Sequence, residues 1–137
     1  MKKVLALDIG DVWTGTALSD ELKMLARPYK TVKTVDLRKF LTDLLSQEPI
    51  EKIVVGEPRT MKGRNSEQTK KTQEFKNKLE EEFQTVSWIL WDERLTSKRA
   101  QAVQRKGRKV DKQHEHSVAA AFILDSYLEY CRIHTVQ

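Results

Sequence analysis

Residues 3–20 read KVLALDIGDVWTGTALSD, and the fold class turns on this stretch. Residues 3–9 are a short apolar run with an acid, Asp8, at its end. Gly10 and Gly15 bracket DVWT, after which TALSD resumes the apolar character. An apolar run, a glycine-bearing turn and a second apolar run predict two strands joined tightly. Residues 29–35 (YKTVKTV) alternate and are rich in β-branched residues, which predicts a third strand. Residues 36–47 then place Leu37, Phe40, Leu41, Leu44 and Leu45 at helical spacing, with Asp36 expected as N-cap and Pro49 closing the segment.

Past that helix the chain alternates. Residues 51–56 (EKIVVG) are too short for a helix and predict a buried strand. The loop GEPRTMKGRNS follows, and then a largely polar helix over 66–83 carrying Phe75, Leu79 and Phe83. Residues 85–91 (TVSWILW) predict another strand, 96–106 a basic helix and 116–131 an amphipathic helix with Ala120, Ile123, Leu124, Tyr127, Leu128 and Cys131 on one stripe. The order β-β-β-α-β-α-β-α-α predicts an α/β fold. Its sheet is five-stranded and mixed, three antiparallel strands followed by parallel ones, with helices on its faces. Without repeats or linkers, one domain is expected over residues 1–137.

Composition narrows the class. A single cysteine, Cys131, excludes a disulfide framework and any Cys-rich zinc module. No apolar stretch is long enough to span a bilayer. The opening MKKVLALDIGD lacks a signal-peptide cleavage site, so a cytoplasmic protein without a membrane partner is expected. The net charge of +5 is unevenly spread. Residues 98–112 hold seven Lys/Arg against one acid, and residues 59–78 hold seven against two. Two basic stretches on an otherwise balanced chain point to a polyanion, with a solvated helix face as the bland alternative.

The chemistry is expected at the ends of two strands. In α/β sheets ligands bind beyond the carboxyl ends of parallel strands. The first strand ends at Asp8 and the fifth at Asp92-Glu93. If both strands are central and parallel, these acids meet at one edge. Asp92 and Glu93 alternate in direction, so only one of them faces that edge. Carboxylates held close stay ionised only if a cation sits between them or one keeps its proton. Hard divalent cations prefer such oxygen ligands. Beside basic surface, the pair points to metal-assisted attack on a phosphodiester. Each acid also has a structural reading: Asp8 and Asp11 as turn formers, Glu93 as a partner of Arg94 or Arg99. Gly10, directly after the acid at the strand end, leaves room for a phosphate. His114 and His116 lack the spacing of a helical metal pair. His116 heads the buried stripe and is expected to point at the sheet edge, while His114 faces solvent. Cys131 reads as a packed thiol, Trp88 and Trp91 as core, and Trp13 as a candidate for base stacking.

LALDIGDVWTGTALSD, VVGEPRTMKG, WDERLTS and HSVAAAFILDSYLEY resemble, in order and spacing, the YqgF/RuvX-type family over essentially the whole chain. Its members are described as Holliday junction resolvases and as nucleases of pre-16S ribosomal RNA. The resemblance implies a ribonuclease H-like fold and phosphodiester cleavage assisted by a divalent metal, Mg²⁺ or Mn²⁺, in the bacterial cytoplasm. Asp8 matches the family's first acid and Glu93 its second. The third position, usually Asp, is His116 here, and imidazole favours softer metals than Mg²⁺. Val12-Trp13 stand where the family often has Lys-Arg. Glu57 replaces an apolar residue and is expected to add negative charge near the phosphate path.

The leading expectation is therefore a nuclease of ribosome biogenesis. Asp8, Glu93 and His116 carry the metal and the catalysis, with Glu115 or Asp111 nearby. Arg59, Lys62, Arg64, Arg94, Lys98, Arg105 and Lys106 grip nucleic acid, either pre-rRNA or branched DNA. A monomer or weak homodimer is expected. The alternatives are a Holliday junction resolvase and a binding module that has lost catalysis. An actin- or sugar-kinase-type ATPase needs two such domains, more than 137 residues supply.

Overall fold

The computed structural model describes residues 2–58, 67–93 and 112–134. Five strands form one sheet: β1 (Lys3–Ile9), β2 (Trp13–Ser19), β3 (Ala26–Lys33), β4 (Ile50–Glu57) and β5 (Ser87–Asp92). Their order is β3-β2-β1-β4-β5. β1, β2 and β3 pair antiparallel, and β1, β4 and β5 run parallel. The mixed α/β sheet expected from the element order is present. One premise needs correction: β5 is an edge strand, not a central one, and β4 separates it from β1.

Among the described residues, three α-helices cover the sheet: α1 (Leu37–Gln47), α2 (Glu67–Glu82) and α3 (Lys112–His134). Strand alternation divides the core in two. On one face Leu5, Leu7, Ile9, Ile53 and Val55 pack against Leu37, Leu41 and Leu44 of α1 and Leu79 of α2. On the other, Val4, Ala6, Ala17, Val54 and Trp91 pack against Ala120, Ile123, Leu124, Tyr127 and Leu128 of α3. Tyr127 meets Trp91 edge-on, with ring centroids 5.5 Å apart. Trp91 is thus core, as read from the sequence. Trp88 is partly buried and donates its indole N–H to the Phe83 carbonyl at 2.9 Å.

One local boundary shifts for a tertiary reason. β3 begins at Ala26 rather than residue 29, because the hairpin carries its pairing back to Ser19↔Ala26. Asp36 takes the N-cap position of α1 as expected, without a side-chain capping bond, and also closes a 3₁₀ turn over Thr34–Asp36. That turn fastens the β1–β2 connection: Thr34 N–H donates to the Val12 carbonyl at 2.8 Å, and Thr34 Oγ1 donates to the Gly10 carbonyl at 2.7 Å. The predicted basic helix over 96–106 lies outside the described residues. Among the described residues no helix is long and apolar enough to cross a membrane.

Candidate active site

Alternation places the two acids. Val4 and Ala6 of β1 face α3, so Asp8, two residues on, faces the same way. On β5, Trp91 faces α3, and Glu93 follows two residues later. Both carboxylates therefore share one face of the sheet at the carboxyl rim of its parallel strands. Between them lies β4, whose Val54 faces α3 and whose next residue on that side is Gly56. A Cβ on Gly56 would lie 3.0 Å from Glu93 Oε1 and 2.5 Å from Ile123 Cδ1. The absent side chain is the space that Glu93 uses to lean inward.

The electrostatics record the crowding. Burial raises the Glu93 carboxyl, the charges of Asp8 and Asp92 raise it further, and it reaches about 7. Burial also raises Asp8, while the His116 imidazole draws part of that shift back. His116 Nδ1 lies 3.7 Å from Asp8 Oδ2. The acid that ends the first strand and the histidine at the head of the last helix do meet.

Gly15 makes that meeting possible. It is the cross-strand partner of Asp8. A Cβ there would lie 1.9 Å from the His116 carbonyl oxygen and 2.6 Å from Ser117 N. The backbone of α3 thus rests directly on the backbone of β2, and that close approach delivers His116 to Asp8. Gly10 has a more local reason than the phosphate clearance read from the sequence. A Cβ there would lie 2.7 Å from the Trp13 carbonyl oxygen, inside its own turn.

The remaining sequence-predicted residues sort as follows. His114 and Glu115 are exposed, as is Asp11 at the turn tip. Trp13 is half-buried at the start of β2. Cys131 packs at the margin of the α3-side core. Glu57 departs from expectation. It alternates away from Gly56 to the opposite face of the sheet, is buried, and accepts a 2.7 Å hydrogen bond from Gln73 Nε2 of α2. Its charge is therefore spent on the α2 side, away from Asp8 and Glu93. Asp111, Arg59, Lys62, Arg64, Arg94, Lys98, Arg105 and Lys106 lie outside the described residues. Sequence reading missed Gly56 and the packing role of Gly15. The parity of β4 could have found the first, because Val54 and Gly56 share a face. The second depends on helix placement and has no local signal.

Among the described residues no three His, Cys, Asp or Glu side chains converge tightly enough to hold an ion by themselves. The rim instead offers two hard oxygen donors whose repulsion His116 offsets in part. Mg²⁺ is commonly held by one or two carboxylates, with waters and substrate phosphate completing its shell. Asp8 and Glu93 fit that mode.

The comparisons with known proteins agree with this architecture. The family model RuvX, described as Holliday junction resolvase, matches residues 2–130. A protein of Rubrobacter xylanophilus named "Putative pre-16S rRNA nuclease" is 38% identical over 128 residues, covering 93% of this chain and 92% of that protein. A protein of the same name from Christiangramia forsetii is 38% identical over 135 residues, covering 93% and 98%. The solved structure of T. thermophilus RuvC in complex with a Holliday junction substrate covers 98% of both chains with TM-score 0.67 and 18% identity, a likeness of fold. The sheet is thus the ribonuclease H-like one that the motifs implied. With a family model matched over nearly its whole length and relatives at this identity, the chain belongs to the RuvX family.

Proposed function

We propose that this chain is a divalent-metal-dependent endonuclease of structured nucleic acid, acting in the bacterial cytoplasm to process the 5′ end of pre-16S ribosomal RNA. The observation that carries the proposal is the desolvated, mutually repelling pair Asp8 and Glu93 at the carboxyl rim of the parallel strands. Such a pair is stabilised by a cation and costs free energy without one. The names of the curated relatives support the choice of substrate.

In this reading Asp8 and Glu93 hold the ion. Such an ion, when bound, supplies Lewis acidity toward a phosphodiester. His116 stands against Asp8, where its Nδ1 orients that carboxylate and its Nε2 is left either to serve as a further ligand or to position the attacking water. Gly56 leaves the room beside β4 that the Glu93 carboxylate and the end of Ile123 occupy. The basic residues Arg59, Lys62, Arg64, Arg94, Lys98, Arg105 and Lys106 supply the phosphate grip. A monomer suffices for one cut in RNA. A second reading, Holliday junction cleavage by a weak homodimer, is favoured by the description of the family.

The test is a cleavage assay with purified protein on a pre-16S leader transcript and on a synthetic four-way junction, each in Mg²⁺, Mn²⁺ or EDTA. We expect ion-dependent product from the leader, and none from Asp8→Asn, which still binds it. Product from the junction alone reassigns the substrate. Binding without product in either ion leaves a nucleic-acid-binding module and overturns the catalytic reading.

A further inference from the structure

Across the sheet from Asp8 lies a cleft of about 330 Å³, walled by the Gly10–Asp11 turn on one side and by α2 on the other. Ile9, which also lines it, belongs to the α1/α2 core, so the cleft is on the opposite face from Asp8 and is separated from it by only the strand end.

The cleft wall carries unsatisfied chemistry. Lys71 and Lys78 are exposed and line it, and neither makes an ion pair among the described residues. This distinguishes them from Lys76 of the same helix, paired with Glu80, and from Arg38, paired with Glu82. Thr72 lines the same wall, is 1% exposed, and its Oγ1 has no hydrogen-bond partner. That hydroxyl is itself covered, so the groups the cleft offers a ligand are the two ammonium groups and the Glu74 carboxylate. Lys71 and Lys78 are two helical turns apart, roughly 10 Å along the axis. That matches the rise of about three stacked nucleotides in one strand. Glu74 lies between them and also lines the cleft. A carboxylate among phosphates is repelled unless it receives a donor, and a ribose 2′-hydroxyl is such a donor while a deoxyribose is not.

We propose that this cleft is a second substrate site, which binds the sugar–phosphate backbone of an RNA strand continuing past the cleaved bond. Lys71 and Lys78 take phosphates, and Glu74 accepts a ribose hydroxyl. The inference rests on the nuclease reading above and deepens it by naming the part of the substrate held here and its sugar.

The experiment uses a nested set of leader transcripts that end at the cleaved bond or extend beyond it by two to eight nucleotides, on either side. Wild type and the double variant Lys71→Ala/Lys78→Ala are compared for KM and for the salt dependence of binding. On one side, extension should lower the wild-type KM about tenfold, as expected for charge-assisted contacts. The double variant should lose that gain, and its salt slope should fall by about 1.4, the value for two phosphates on a single strand. Replacing the extension's riboses by deoxyriboses should remove part of the gain, and Glu74→Ala should make the two sugars equivalent. If wild type gains nothing from extension on either side, or the double variant keeps the full gain and slope, the cleft does not hold the strand. If ribose and deoxyribose extensions serve wild type equally, the RNA assignment is overturned. If wild type cleaves no transcript of any length, the nuclease reading itself has failed, a result distinct from all of these.

Discussion

Gly15→Ala tests the geometry of the rim most directly. The new Cβ would sit 1.9 Å from the His116 carbonyl oxygen and 2.0 Å from its carbonyl carbon, where ordinary contact begins near 3.4 Å. Backbone must therefore retreat by about 1.5 Å. β2 cannot yield, because it is bonded to β1 on one side and β3 on the other. The first turn of α3 moves instead and carries His116 off Asp8, widening a contact that is now 3.7 Å. Overpacking of this kind costs about 1–3 kcal/mol. For a chain of this size that is a fall in Tm of roughly 3–10 °C. The displacement should also lower the cleavage rate by about 10²-fold, since placement errors near 1 Å have effects of that size. The assay pairs thermal unfolding with single-turnover cleavage of a leader transcript. An unchanged Tm would refute the close approach of α3 to β2. A lowered Tm with an unchanged rate would refute the role given to His116.

Further outcomes follow from the same site. Gly56→Ala should affect stability little, because a new Cβ meets the movable ends of Ile123 and Glu93, yet it should displace the Glu93 carboxylate and lower cleavage by about tenfold; equal losses in stability and rate would contradict this. Glu93 titrates near 7 when folded against about 4.5 unfolded, so the metal-free fold binds its proton more tightly. The resulting stability is full below pH 4.5 and is lost as pH rises through 7, on the order of 3 kcal/mol in all. Denaturant unfolding in EDTA at pH 5 and pH 8 should show this decline in wild type and a much flatter response in Glu93→Gln; identical slopes would remove the crowding argument. Mn²⁺ should support faster turnover than Mg²⁺ in wild type, and His116→Asp should raise the Mg²⁺-dependent rate about tenfold by exchanging imidazole for a harder donor. An unchanged ratio of the two ions in that variant would exclude His116 as a ligand.

Much of the fold could be read from residues 3–20 and the spacing of apolar positions. The D-I-G turn, the leucines of α1 and the stripe of α3 each obey a local period, and local periods survive in a sequence. The shared face of Asp8 and Glu93 was legible for the same reason, since each lies two residues beyond a buried neighbour, Ala6 or Trp91. What stayed hidden depends on how elements meet. The edge position of β5 follows from which strand enters the sheet between it and β1. The close seat of α3 at Gly15 depends on a helix more than ninety residues further along the chain. Glu57 read as a charge near the phosphate path because the loop motif was taken without strand parity. One step along β4 sends it to Gln73 on the other side of the sheet.

The bonds from Thr34 to the β1–β2 turn have a consequence for substitution. They hold main-chain atoms of Gly10 and Val12, while the side chains of Asp11 and Val12 project freely into solvent. The tip is thereby an interchangeable reading head on a fixed mount. Its residues can be swapped without tilting Asp8, three positions before Asp11. A change of side chain at the tip therefore alters the surface beside the rim and leaves the carboxylate of Asp8 where it is.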